Sequence, residues 1–222
     1  MLRLAARTER RDRRTQASCI GGIALVPLFL MLNVVLGCAA VLTPMTPGMN
    51  NSLRPDEGLV LGRIHITDSS GKSFASPKQL FRTSFHMQWR LKDQKSGKEF
   101  VIDSLPRDGP FAVKLPTGSY DLTALSFDTA LGLWQATLPT RFTVNSQACT
   151  YLGMWELRTN AGFFGGSIVR HVIDQHALAE NDLQTFVSDR LVHPMVTELS
   201  SSTTSPLLLT FRTQGTELTS PP

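Results

Sequence analysis

The stretch "FHMQWRLK", residues 85–92, alternates large apolar and polar side chains with a period of two. Phe85, Met87, Trp89 and Leu91 fall on one face, and His86, Gln88, Arg90 and Lys92 on the other. Only an extended chain separates these two sets, because successive side chains of a strand point to opposite faces. One face must meet a core and the other water, which makes this a half-buried strand. "DQKSGK" then supplies a turn and "EFVIDSL" a return strand, so the two form a hairpin.

The same grammar runs through the middle of the chain. "LVLGRIHITDSSGK" reads as a strand through Ile64 and Ile66 that ends in a Ser-Ser-Gly turn. In "GPFAVKLPTGSYDLTALSF", Phe111, Val113 and Leu115 alternate, Pro116 to Gly118 turn the chain, and Tyr120, Leu122 and Ala124 alternate again. "TRFTV", "TYLGMWEL" and "GGSIVRHVID" continue the series. About eight short strands with turn signals between them predict a mainly β domain, a sandwich, over residues 58–199. One helix interrupts it near 176–191, where Leu178, Leu183, Phe186, Val187 and Leu191 recur at helical steps and Asp174 or Asn181 can serve as N-cap. Its expected place is on a sheet face or over a sheet edge. Residues 200–222 form a Ser/Thr-rich tail, with "PLLLTFR" at 206–212 as a candidate final strand.

Ahead of this domain the composition changes. Residues 1–18 are polar and arginine-rich, and Cys19 to Leu42 then run without a charge. A basic start, an apolar run and small residues at its end (Gly37, Cys38, Ala39, Ala40) describe a secretory signal. This division accounts for the charge. Six of the 22 basic residues and two of the 18 acidic ones precede Cys38, so 16 of each sign remain from Cys38 onward. The formal +4 leaves with the signal, and with it the basic footprint that nucleic-acid binding needs. Residues 38–57, rich in Pro, Gly and Asn, read as a flexible tether.

The end of the apolar run, Val35-Leu36-Gly37-Cys38, resembles the lipobox of bacterial lipoproteins. Leu36 departs from the small residue usual at that place. The resemblance implies cleavage between Gly37 and Cys38, a diacylglycerol thioether on Cys38, and acylation of the new amino group. Ala39, next to the cysteine, is not the aspartate that retains such proteins in the inner membrane, so the implied address is the outer membrane, facing the periplasm. The other reading is an uncleaved anchor, since Ile20–Leu42 is long enough to span a bilayer. Gly21-Gly22, Pro27 and Asn33 make a poor spanning helix. Both readings export the domain.

"FAVKLPTGSYDLTAL" resembles the carboxypeptidase-regulatory and transthyretin-like domains, whose recurring text is an apolar strand, a Leu-Pro-x-Gly-x-Tyr turn and a second strand. That resemblance implies an Ig-like sandwich used for attachment or interaction, and brings no catalytic residues with it.

Active-site text is sparse. The chain has no G-x-S-x-G elbow, phosphate loop or H-E-x-x-H pair, so we assign no catalytic residue, metal or cofactor. His171, Asp174 and His176 are close in sequence, but their spacing spans a strand end and a helix start and suits zinc poorly. Cys149, beside an apolar strand, reads as a buried small hydrophobe. Phe163 and Phe164, in the glycine-flanked loop "GFFGG", are candidate contacts for an envelope protein partner or a membrane. The expected function is a lipid-anchored binding or structural module of the envelope, with the bilayer as partner through Cys38. The alternatives are a periplasmic enzyme or carbohydrate-binding module whose site is assembled from separated loops, or a single-pass membrane protein with the same exported domain.

Overall fold

The computed structural model describes residues 39–48, 52–73, 86–129, 132–161, 166–187, 195–200, 202 and 205–212. Alternation gives the first sheet its strands. β3 (His86–Asp93) pairs antiparallel with β4 (Glu99–Leu105) on one side and with β6 (Gly118–Thr129) on the other. Beyond β6 lies β7 (Gly132–Val144), joined to it as a hairpin. The second sheet is built around β2 (Glu57–Thr67), which pairs antiparallel with β5 (Asp108–Pro116) and parallel with β8 (Cys149–Ala161). β9 (Gly166–Ile173) is the antiparallel neighbour of β8.

These sheets stack as a sandwich. Met87, Trp89 and Leu91 of one and Val60, Ile64, Ile66, Phe111 and Trp155 of the other enter a common core in which each is almost wholly buried. Trp89 is the contact point: its ring meets Phe111 edge-on at 5.1 Å and Trp155 at 4.7 Å, both across the gap between sheets. The chain turns from β5 into β6 at Pro116-Thr117-Gly118, and the Tyr120 hydroxyl donates to the Pro116 carbonyl at 2.8 Å, a tyrosine corner that fixes the crossing.

Three further strands manage the edges. β11 (Leu207–Arg212) belongs to both layers: Leu207–Leu209 pair with β9, and Thr210–Arg212 pair with β7. β10 (Met195–Thr197) lies parallel to the first residues of β8. Just beyond it, the Glu198 carboxylate accepts the Thr143 N–H at 2.6 Å, reaching across to β7. β1 (Ala40–Leu42) runs parallel along the outer edge of β4. Alternation misses β1 and β10 because three residues are too few to show a period.

The composition of residues 38–57 predicts a tether, yet their described part is held to the domain. After β1, the Met45 N–H donates to the Ala112 carbonyl on β5, and the Gly48 N–H to the Thr185 carbonyl. One short segment therefore covers an edge of each sheet, which leaves fewer unpaired backbone groups to attract another chain.

The second sheet is apolar on its outer face too. Leu59, Leu61, Ala112, Cys149 and Tyr151 lie under helix α1 (His176–Phe186), whose Ala179, Asp182 and Phe186 are buried against them. The helical period predicts the Leu178, Leu183 and Phe186 stripe; the observed face is turned so that Leu178 is 40% exposed. The N-cap is Gln175, and Asp174 accepts the His176 N–H at 3.1 Å from one position earlier.

The middle of β8 requires a glycine. Between Tyr151 and Met154, β8 holds two residues opposite the single Gly62 of β2, a bulge, and Gly153 there has φ +88°. A Cβ on Gly153 would stand 2.7 Å from Val172 Cγ1 and 2.8 Å from Leu199 Cδ2. Gly153→Ala is therefore expected to destabilise the fold by about 2–4 kcal/mol in urea unfolding. A loss smaller than about 0.5 kcal/mol, the range of ordinary surface changes, would show that the bulge relaxes freely.

Candidate functional site

The sequence directs attention to Gly37 and Cys38, and to Phe163 and Phe164; all four lie outside the described residues. What the structure does define is the corner of the domain that follows Cys38. Ala40 pairs with Phe100 and Leu42 with Ile102, so the chain enters β1 level with the start of β4. Ala40 and Leu42 pack toward the core, while Val41 is 68% exposed.

The β3–β4 turn forms this corner. Asp93 organises it: its carboxylate accepts the Lys95 N–H at 2.9 Å and the Ser96 hydroxyl at 2.6 Å. The Ser96 hydrogen bond, more than any other contact, holds the Asp93 carboxyl below its ordinary range. Lys98 Nζ stands 5.0 Å from the centre of the Phe100 ring, a cation–π contact. Residues 90–99 hold four basic side chains, Arg90, Lys92, Lys95 and Lys98, against Asp93 and Glu99.

The turn is tied to the other loops at its end of the sandwich. The Gln94 N–H donates to the Ser119 carbonyl and the Thr117 N–H to the Asp56 carbonyl, each at 2.9 Å. The Gln147 N–H reaches the Glu57 carbonyl at 2.8 Å, and the Ser146 hydroxyl bonds the Pro55 carbonyl. Arg54 grips the buried Glu57 carboxylate, donating from Nε at 2.8 Å, and this hydrogen bond pushes the Glu57 carboxyl below its ordinary range. Four loops distant in sequence thus form one braced end face.

The remaining sequence candidates separate. His171 on β9 sits opposite Glu156 on β8 and is exposed. Asp174 serves the start of the helix, and His176 rests edge-on against Tyr151 at 6.3 Å. Among the described residues no group of three or more His, Cys, Asp or Glu could hold a metal ion. Among them, too, no helix is long and apolar enough to cross a membrane. Cys149 has no exposed surface, and burial pushes its thiol up to about 12.

Two groups escaped the sequence reading. Arg63 on the outer face of β2 donates to Asp182 of α1 from Nε at 3.3 Å and from Nη2 at 2.9 and 3.0 Å. This fork clamps the helix onto the sheet at a shallow crevice that Tyr151, Gln175 and Leu178 also line. Arg170 of β9 is buried inside the sandwich, where its guanidinium stacks 5.0 Å from the Trp155 ring and donates to the Thr140 hydroxyl. No local pattern marks either residue, because the partners come from other strands.

Removing only one end of the clamp strands a charge. Arg63→Met should destabilise the fold by about 2–3 kcal/mol in urea unfolding, and Arg63→Met with Asp182→Leu by clearly less than the two single losses together. Additive losses would show that the pair does not interact. The buried thiol makes a second prediction. Its folded pKa lies above the unfolded value of about 8.5, as that of Tyr120, at about 12, lies above about 10. Stability is then complete below about pH 8.5 and falls as pH rises toward 12, where the unfolded chain loses these protons first. At pH 8 Cys149 should resist a thiol reagent until denaturant is added; rapid reaction in the folded state would contradict its burial.

No family model, no curated protein and no solved structure matches this chain.

Proposed function

We propose that this chain is an exported lipoprotein whose β-sandwich acts as a binding or structural module of the cell envelope. The observation that carries the reading is Val35-Leu36-Gly37-Cys38 at the end of an uncharged run that follows an arginine-rich start. The domain's charge balance supports it, since 16 basic and 16 acidic residues remain from Cys38 onward. The three acyl chains of the implied modification suffice for stable anchoring, at about 0.8 kcal/mol per buried methylene. Ala39 in place of aspartate favours the outer membrane as the destination.

A binding or structural role fits the crevice beneath α1 better than catalysis does. Arg63 and Asp182, the charged groups lining it, are engaged with each other in holding the helix. Nothing there leaves a nucleophile beside a base.

Expression with an alkyne-bearing palmitate, followed by mass spectrometry of the N-terminal peptide, tests the reading. The expected product begins at Cys38 and carries a diacylglyceryl group, and Cys38→Ala abolishes both label and cleavage. A mature chain that keeps residues 1–37 would instead establish an uncleaved anchor.

A further inference from the structure

We propose that the domain is held flush against the leaflet, with the β3–β4 turn and its lysines resting among the lipid headgroups. This rests on the lipoprotein reading and adds an orientation to it.

The argument begins with chain length. Cys38 is bonded to Ala39, and Ala40 is already paired with Phe100 on β4. Two trans peptide units span at most about 7.6 Å between Cα atoms, which bounds the distance from Cys38 to the start of β1. The headgroup layer on one side of a bilayer is itself about 5–8 Å deep. An acyl-bearing residue 38 therefore leaves no slack: the start of β1 must lie at the outer surface of that layer.

Register says which part of the domain goes with it. β1 is parallel to β4, so its first residue sits level with Phe100, immediately after the turn of Asp93 to Lys98. Lys95 and Lys98 are the exposed cations of that turn, and Lys92 and Arg90 follow on β3. Against these four cations stand Asp93, which its hydrogen bonds keep ionised, and Glu99, 3.9 Å from Arg90, while Asp121 opposite Lys92 is paired with Arg141. The corner thus offers net positive charge to anionic headgroups. Val41, the most exposed residue of β1, lies beside it.

Rigidity completes the case. The segment after β1 is bonded to Ala112 and Thr185, and the end-face loops are bonded to one another, so no hinge intervenes within the described residues between residue 39 and the domain. The opposite end, at Ser70 after β2, is about 30 Å away along the strands and faces away from the membrane.

The test uses the full lipidated protein in vesicles of phosphatidylethanolamine and phosphatidylglycerol doped with a headgroup spin-labelled lipid. Lys95→Cys and Ser70→Cys are each labelled with an environment-sensitive fluorophore, Cys149 being buried and silent. Several-fold stronger quenching is expected at position 95 than at 70. A Gly-Ser spacer of about ten residues inserted between Ala39 and Ala40 should bring the two to the same low level, since such a chain reaches some 17 Å. Equal quenching without the spacer, or quenching at 95 unmoved by it, overturns the flush arrangement while the lipid stands. An N-terminal peptide without a diacylglyceryl group, read from the same preparation, overturns the lipoprotein reading and this inference together.

Discussion

Trp89 stands between the two sheets with no exposed surface, touching Phe111 edge-on and Trp155 at a tilt. Aromatic contacts of this kind act over a narrow range of distance and angle, so they set how far apart the sheets lie and how they are turned. Everything farther out takes its position from that spacing. The Tyr120 corner must reach from one layer to the other, β11 must leave β9 and meet β7 within six residues, and Arg170 must fit between Trp155 and Thr140. A change of spacing by one side-chain radius would break all three at once.

The edges are the second demand. An open sandwich exposes backbone donors and acceptors along its outermost strands, and native proteins blunt them. Here the N-terminal segment serves both β4 and β5, the doubled pairing of β11 joins the layers on the other side, and the Glu198 carboxylate stands in for a missing neighbour of Thr143. Side chains and short segments do what full-length strands do in a closed barrel.

How much of this the sequence foretells depends on the range of the interactions involved. β3 was plain from Met87, Trp89 and Leu91, because a half-buried strand writes its environment into every second residue. The helix was legible as a helix, but its orientation was not: Asp182, which a hydrophobic stripe would leave in water, faces the sheet because Arg63 waits there, 119 residues earlier. β1 was hidden for a different reason. Prolines and glycines around Ala40–Leu42 signal loose chain, and only the open edge of β4, absent from any local window, turns three residues into a strand. The chemistry proposed for residues 37 and 38 is the reverse case, since it rests on a sequence motif alone and falls outside the described residues.

The parallel pairing of β2 with β8 has a consequence in time. Thr159 and Thr67, which share a hydrogen bond near its end, are 92 residues apart, and β11 completes the assembly later still. Contacts of such sequence separation repay their loop-closure entropy only after most of the chain is present, so folding is slow and a partial chain has little to gain from it. In the exported role we propose, that delay would be useful: the order of the strands would keep the chain pliable until its passage through the membrane is over.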